Sequence, residues 1–222
     1  THRLLSKDIQ FKDLGLLIID EEHRFGVMAK ERLRSLKHNV DTLTLTATPI
    51  QRTLNLSLLG ARDLSLIATA PPNRQPIYTH VATFDVLKIK EWINNELNRN
   101  GQIYFVHDRV ESIDKLAAYL QKYIPDVRIG IAHGQMKPSQ LEKVIRGFLN
   151  KQYDVLLSTK IIESGMDIPN VNTIIVNKAD RFGLAELHQL RGRVGRAARQ
   201  AYAYFIVPSM NSINKKALRR LQ

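Results

Sequence analysis

Apolar positions in this chain come in short unbroken runs separated by amphipathic stretches. Leu14-Gly15-Leu16-Leu17-Ile18-Ile19 closes directly on acids. An apolar run without alternation predicts a strand buried on both faces of a parallel sheet, and the carboxyl ends of such strands carry the chemistry of open α/β sheets. Two more short strands are expected over 42–46 and 64–68, with helices around 30–36 and 51–58. From residue 78 onward the pattern alternates, with strands over 78–83, 103–106, 128–132, 155–158, 173–176 and 201–207. Helices over 86–97, 113–123, 139–149 and 184–190 separate most of them. Such alternation with short connections predicts right-handed crossovers and a largely parallel sheet.

The stretch Ala70-Pro71-Pro72-Asn73-Arg74-Gln75-Pro76 is dense in proline. Proline removes a donor and forces extended backbone on its predecessor, so this stretch reads as a linker. The expected organisation is the back half of one α/β lobe over 1–76, a complete second lobe over 77–208, and the start of a basic helix over 209–222. At 222 residues the chain is long enough for two cores.

Composition narrows the function less than the motifs do. Apolar residues make up 44% and charged residues 24%, ordinary for a soluble globular chain, and no apolar run approaches bilayer length, so no membrane partner is expected. The absence of cysteine excludes disulfides, thiolate zinc sites and a cysteine nucleophile, and fits a reducing, cytoplasmic compartment. The net charge of +12 divides as +3 over residues 1–80, +5 over 81–208 and +4, with no acid, over 209–222. A basic balance suits a polyanion such as nucleic acid, and serves solubility equally well.

Two blocks supply the candidate chemistry. Asp20-Glu21-Glu22-His23 ends the first apolar run, and Gln189-Leu190-Arg191-Gly192-Arg193-Val194-Gly195-Arg196 lies near the other end. Asp20 could hold magnesium through its water shell and Glu21 could polarise an attacking water, while Glu22 and His23 link the site to neighbouring elements. An acidic strand end that caps the next helix is the plainer reading of the first block. Thr46-Ala47-Thr48-Pro49 follows the next strand, where hydroxyls could bridge the carboxylates to the other lobe. Within the run from Leu156 to Pro169, Gly165 allows close backbone approach to a ligand and Asp167 could accept from a ribose hydroxyl. Arg193 and Arg196, three apart on an expected helical face, could neutralise charge on a transferred phosphoryl group, or touch a DNA backbone. No Gly-x-x-x-x-Gly-Lys-Ser/Thr phosphate loop occurs in the 222 residues, so the expectation is a motor core cut open after its first third. His133 reads as a satisfied strand-end histidine, and Phe105, Phe148 and Phe205 as core.

Taken together, Asp20-Glu21-Glu22-His23-Arg24-Phe25-Gly26-Val27, Leu43-Thr44-Leu45-Thr46-Ala47-Thr48-Pro49-Ile50, Ile131-Ala132-His133-Gly134-Gln135-Met136, the Ser158 to Pro169 segment and Phe182-Gly183-Leu184-Ala185-Glu186-Leu187-His188-Gln189 resemble one family. It is the superfamily 2 motor of bacterial transcription-repair coupling factors, with the fork-remodelling RecG translocases as nearest relatives. Val106-His107-Asp108-Arg109-Val110-Glu111 resembles the former more. The resemblance implies an α/β fold of RecA-like parallel sheets flanked by helices, with a partial first lobe and a complete second one. It also implies a double-stranded DNA translocase that uses ATP and magnesium, displaces stalled RNA polymerase and recruits excision-repair proteins through regions outside this chain. On the same grounds Gln189 would meet the nucleotide and Arg193 with Arg196 the γ-phosphate, while Thr46, Thr48, Thr159 and Lys160 would meet nucleic acid. Gln51 stands where the family has Pro, and Lys160 where it has Thr. The chain by itself is expected to be inactive without the phosphate loop. A RecG-like fork remodeller, or a nucleic-acid-binding module without catalysis, are the competing expectations.

Overall fold

The computed structural model describes residues 2–6, 8–22, 25–37, 40–46, 63–69, 75–159, 168–195 and 199–209. The chain divides into two compact units, Thr1–Ile67 and Ala68–Gln222. The expected helices over 51–58 and 212–222 lie outside the described residues.

In the first unit, β1 (Leu16–Asp20) and β2 (Asp41–Leu45) pair in parallel, with Ile18 opposite Leu43 and Asp20 opposite Leu45. The connection between them is α1 (Val27–Leu36), which starts from an extended Gly26 whose carbonyl accepts from Lys30 N–H at 3.0 Å. Two expectations fail here. β1 is not buried on both faces: Leu16 and Ile18 are 56% and 58% exposed and only Ile19 is buried. A strand loses both faces to solvent exclusion only between two layers, and among the described residues one helix, with Leu33 as its buried side chain, lies beside a sheet of two strands. Residues 64–68 form no strand either. They run exposed, Leu66 and Ile67 most of all, because apolar composition alone supplies no ladder for backbone N–H and C=O groups.

The second unit is a six-stranded sheet, parallel throughout, in the order β3-β8-β7-β4-β6-β5. Its strands are β3 (Tyr78–Thr83), β4 (Gln102–Val106), β5 (Ile129–Ala132), β6 (Val155–Ser158), β7 (Val171–Asn177) and β8 (Tyr202–Val207). The helices are α2 (Val86–Asn98), α3 (Ile113–Tyr123), α4 (Pro138–Leu149) and α5 (Leu184–Arg191). Every strand and helix expected between residues 78 and 207 is present, within two residues at each end.

Helices cover both faces, as a parallel sheet requires. On one face, Ile89, Trp92 and Ile93 of α2 and Ile113, Ala117 and Leu120 of α3 pack with Ile103, Phe105, Leu157, Ile175 and Ile206. On the other, Phe148 of α4 and Leu187 and Leu190 of α5 pack with Tyr104, Val106, Leu156, Ile174 and Phe205. Phe105, Phe148 and Phe205 are therefore core, as expected. α2 starts where the Asp85 carboxylate accepts from the Leu87 and Lys88 N–H groups, a cap typically worth about 1 kcal/mol. At the amino edge the buried Glu96 carboxylate accepts from Arg99 and from the Thr173 hydroxyl, while Arg99 Nη1 donates to the Gln200 carbonyl at 2.7 Å. Charge thus ties the elements together at the amino edge of the sheet.

Candidate functional site

In the first unit the chain turns sharply where β1 ends. Asp20 is exposed at the last strand position, and Glu21 takes a left-handed backbone with φ 51°. For a residue other than glycine this costs on the order of 1–3 kcal/mol, and two bonds hold it. Glu21 N–H donates to the Leu45 carbonyl at 2.9 Å, and the Thr46 hydroxyl donates to Glu21 Oε2 at 2.9 Å. Lys37 Nζ reaches Glu22 Oε1 at 3.1 Å. One carboxylate, Glu21, is thereby oriented at the carboxyl end of a parallel pair, with a second, Asp20, beside it in solvent. His23 and Thr48 lie outside the described residues.

In the second unit, β4, β5, β6 and β7 all run out at the same edge. Past β4, His107 is buried and its N–H donates to the Ser158 carbonyl at 2.8 Å. Its Nε2 lies 2.7 Å from Ser112 Oγ, and its Nδ1 lies 3.2 Å from Asn177 Nδ2. Burial pushes His107 below its ordinary range, the Asp108 carboxylate opposes this, and Lys178 and Arg181 reinforce it.

Asp108 follows, with its side chain only 7% exposed. Its Oδ2 accepts from Arg181 Nη1 at 2.7 Å and lies 3.7 Å from Arg109 Nε. Its Oδ1 lies 3.6 Å from both Lys178 Nζ and His107 Nδ1. Past β6, Thr159 is buried and its N–H donates to the Ala132 carbonyl at 3.3 Å. Two polar atoms beside it, Ser158 Oγ and His133 Nδ1, are buried with no hydrogen-bond partner among the described residues. The expectation of a satisfied His133 thus fails at Nδ1 among the described residues, in a side chain that is otherwise only half-buried. Lys160, Gly165 and Asp167 lie outside the described residues.

α5 carries Gln189 half-buried, with Leu187 and Leu190 in the core. Arg193 does not stand on the helical face expected for it. α5 ends at Arg191, Arg193 sits in the following turn with its N–H on the Leu190 carbonyl at 3.0 Å, and Gly195 turns left-handed at φ 74°. That positive φ is incompatible with a right-handed helix, and a Cβ on Gly195 would come within 3.1 Å of Ile77. Arg196 lies outside the described residues.

His107, Asp108, Lys178 and Arg181 were not among the expected site residues. The available signal was a run of polar residues directly after the apolar run of β4. Among the described residues no group of three or more His, Cys, Asp or Glu side chains could hold a metal by itself, and no helix is long and apolar enough to cross a membrane.

Residues 86–198 match the helicase conserved C-terminal domain, and residues 1–56 match the DEAD/DEAH box helicase domain. The chain is 55% identical over all 222 residues to the transcription-repair-coupling factor of Staphylococcus aureus (strain USA300). It is 54% identical to that of Staphylococcus epidermidis. It spans 19% of the length of each of these relatives. Among solved structures, RecG bound to a three-way DNA junction superimposes with a TM-score of 0.75 at 37% identity, covering 99% of this chain and 29% of that one. Dbp5 of S. cerevisiae bound to RNA and ADP BeF3 gives 0.73 at 17% identity, over 100% of this chain and 60% of that one; at that identity the likeness concerns the fold alone.

Proposed function

Because the chain belongs to the helicase family whose conserved C-terminal domain is matched over residues 86–198, we propose that it works as the motor part of an ATP-driven translocase on double-stranded DNA. The job is that of a transcription-repair-coupling factor: displacing stalled RNA polymerase in the cytoplasm and bringing in excision-repair proteins through other regions. Residues 1–76 serve as first-lobe sequence, 77–208 as the second lobe and 209–222 as the start of a further helix.

The observation that carries this reading is the Glu21 carboxylate, fixed at a strand end by the Thr46 hydroxyl with exposed Asp20 alongside. The donor set suits magnesium held with a nucleotide, which needs one or two carboxylates from protein and takes its other ligands from phosphates and water. When bound, ATP and magnesium supply the transferable phosphoryl group and the charge that neutralises its oxygens. Asp20 would hold the ion, Glu21 would orient a water for attack and His23 would link them to neighbouring elements. Gly165, Asp167 and Gln189 receive the nucleotide. Arg193 and Arg196 offset charge that develops on the γ-phosphoryl group. Thr46, Thr48, Thr159 and Lys160 follow the DNA backbone, which gives sequence-indifferent binding that weakens steeply with salt.

DNA-stimulated phosphate release by the full-length protein tests this. Glu21→Gln should keep nucleotide binding and lose turnover, because an amide keeps the shape without the carboxylate. Turnover at the unmodified rate would remove Glu21 from the reaction. The 222-residue chain expressed alone, with no Gly-Lys-Ser/Thr loop in its sequence, should show no DNA-stimulated hydrolysis. The 37% identity to RecG favours one second reading, remodelling of branched DNA. A marked preference for three-way junctions over linear duplex would support it.

A further inference from the structure

We infer that Asp108 is a positioning residue that sets where α5 and the turn after it stand, and so where Gln189 and Arg193 stand. The inference rests on the reading above, in which those two side chains serve the nucleotide.

The connection from β7 to α5 is short and strained. Lys178 sits in the left-handed region at φ 54°, Arg181 N–H returns to the Lys178 carbonyl at 3.0 Å, and Phe182 N–H to the Ala179 carbonyl at 3.1 Å. Ala179 and Phe182 are wedged into the core. α5 then begins where Gly183 N–H donates to Glu186 Oε2 at 2.7 Å. Two cations, Lys178 and Arg181, lie within this one turn and repel each other. The charge that holds both comes from the neighbouring strand: Asp108, past the end of β4, meets Arg181 at 2.7 Å and Lys178 at 3.6 Å. Asp180 in the same turn has interactions of its own, and Asp108 is the carboxylate that reaches the turn from the end of β4.

α5 has eight residues, and Gln189 lies six positions past Gly183, about 9 Å along the axis at 1.5 Å per residue. Leu187 and Leu190 lock the helix to the sheet, and Val194 is buried directly after Arg193. A shift at the start of so short and well-packed an element is carried to its end. Misplacement by about 1 Å from a change remote from the chemistry can cost about 10²-fold in rate.

The test uses the full-length protein, with DNA-stimulated ATP hydrolysis read as kcat and KM, fluorescent-nucleotide Kd, and the thermal midpoint. Asp108→Asn should lower kcat about 10²-fold while leaving nucleotide Kd within a few fold. Arg181→Met should lower kcat in the same direction but less, since Lys178 still meets the carboxylate, and the double variant should be no worse than Asp108→Asn alone. Should Asp108→Asn fail to fold, Arg181→Met, on the more exposed side of the pair, carries the same test. Asp154→Asn is the control. It breaks the Arg128–Asp154 pair at 2.6 Å on the opposite edge of the sheet, and should lower the midpoint with kcat unchanged. If Asp108→Asn behaves like that control while Arg193→Ala is severely impaired, Asp108 is merely structural and the inference falls alone. If Arg193→Ala is harmless, the nucleotide reading fails and the inference fails with it.

Discussion

β1 and β4 are both short, apolar and parallel, yet they end in opposite environments. All five residues of β4 are buried, against one of five in β1. β4 lies between β6 and β7 with α2 and α3 on one face and α4 and α5 on the other. Among the described residues β1 has one strand neighbour. Periodicity specifies that a segment forms a strand; the layers around it decide how much of it leaves water. The candidate chemistry follows the same division. In the first unit the carboxylates of Asp20 and Glu21 stand at a thin, solvated strand end. In the second, the side chains of His107, Asp108 and Thr159 are nearly all withdrawn from solvent, and burial lowers the pKa of His107.

The largest effect expected is on turnover. Arg193→Ala in the full-length protein should lower DNA-stimulated ATP hydrolysis by on the order of 10³ to 10⁵, as severely as Glu21→Gln. A loss confined to DNA affinity would make Arg193 a backbone contact.

Next in size are core truncations, which sharpen the contrast. Phe105→Ala removes a fully buried ring and should cost about 3–5 kcal/mol. Ile18→Ala, on the exposed face of β1, should cost under about 1 kcal/mol, since little apolar area leaves water there. Urea unfolding of the two variants should differ accordingly, and equal midpoints would contradict the burial described.

Gly195→Ala comes third, at about 1–2 kcal/mol for placing a side chain in a left-handed conformation, with Ile77 adding a close contact at 3.1 Å. An unchanged thermal midpoint would mean that the turn after α5 can readjust freely.

The smallest effect is a pH dependence peculiar to the second unit. His107 has a lowered pKa in the folded state, so the unfolded chain takes up its proton first as pH falls. Its contribution is therefore neutral well above pH 6.5 and becomes destabilising as pH drops through 6.5 toward the folded value, at about 1.4 kcal/mol per unit of separation. His107→Gln should flatten the fall of the thermal midpoint between about pH 7 and 5. A steeper fall in the variant would reverse the sign.

The second unit was nearly all legible in the sequence, because buried strands between amphipathic helices leave both the strand and helix periods intact. Residues 64–68 misled for the converse reason: Leu-Ser-Leu-Ile-Ala has strand composition, and composition does not provide a partner. The Glu21–Thr46 bond was foreseeable, since carboxyl ends of neighbouring parallel strands must meet. The helical face assigned to Arg193 was not correct, and Gly192 and Gly195 in the same motif were the sign that the helix ends first. Asp108 could not be found by spacing at all. Arg181 lies 73 residues further along the chain, and only the β4–β7 pairing brings the two together.

The central claim, ATP-driven tracking along intact duplex, is tested most directly by triplex displacement with the full-length protein. A third strand bound at one site on a linear duplex should be removed when ATP is present, without separation of the duplex strands, and should stay in place with Arg193→Ala. ATP hydrolysis that leaves the third strand bound, or displacement by Arg193→Ala at the unmodified rate, would contradict the account.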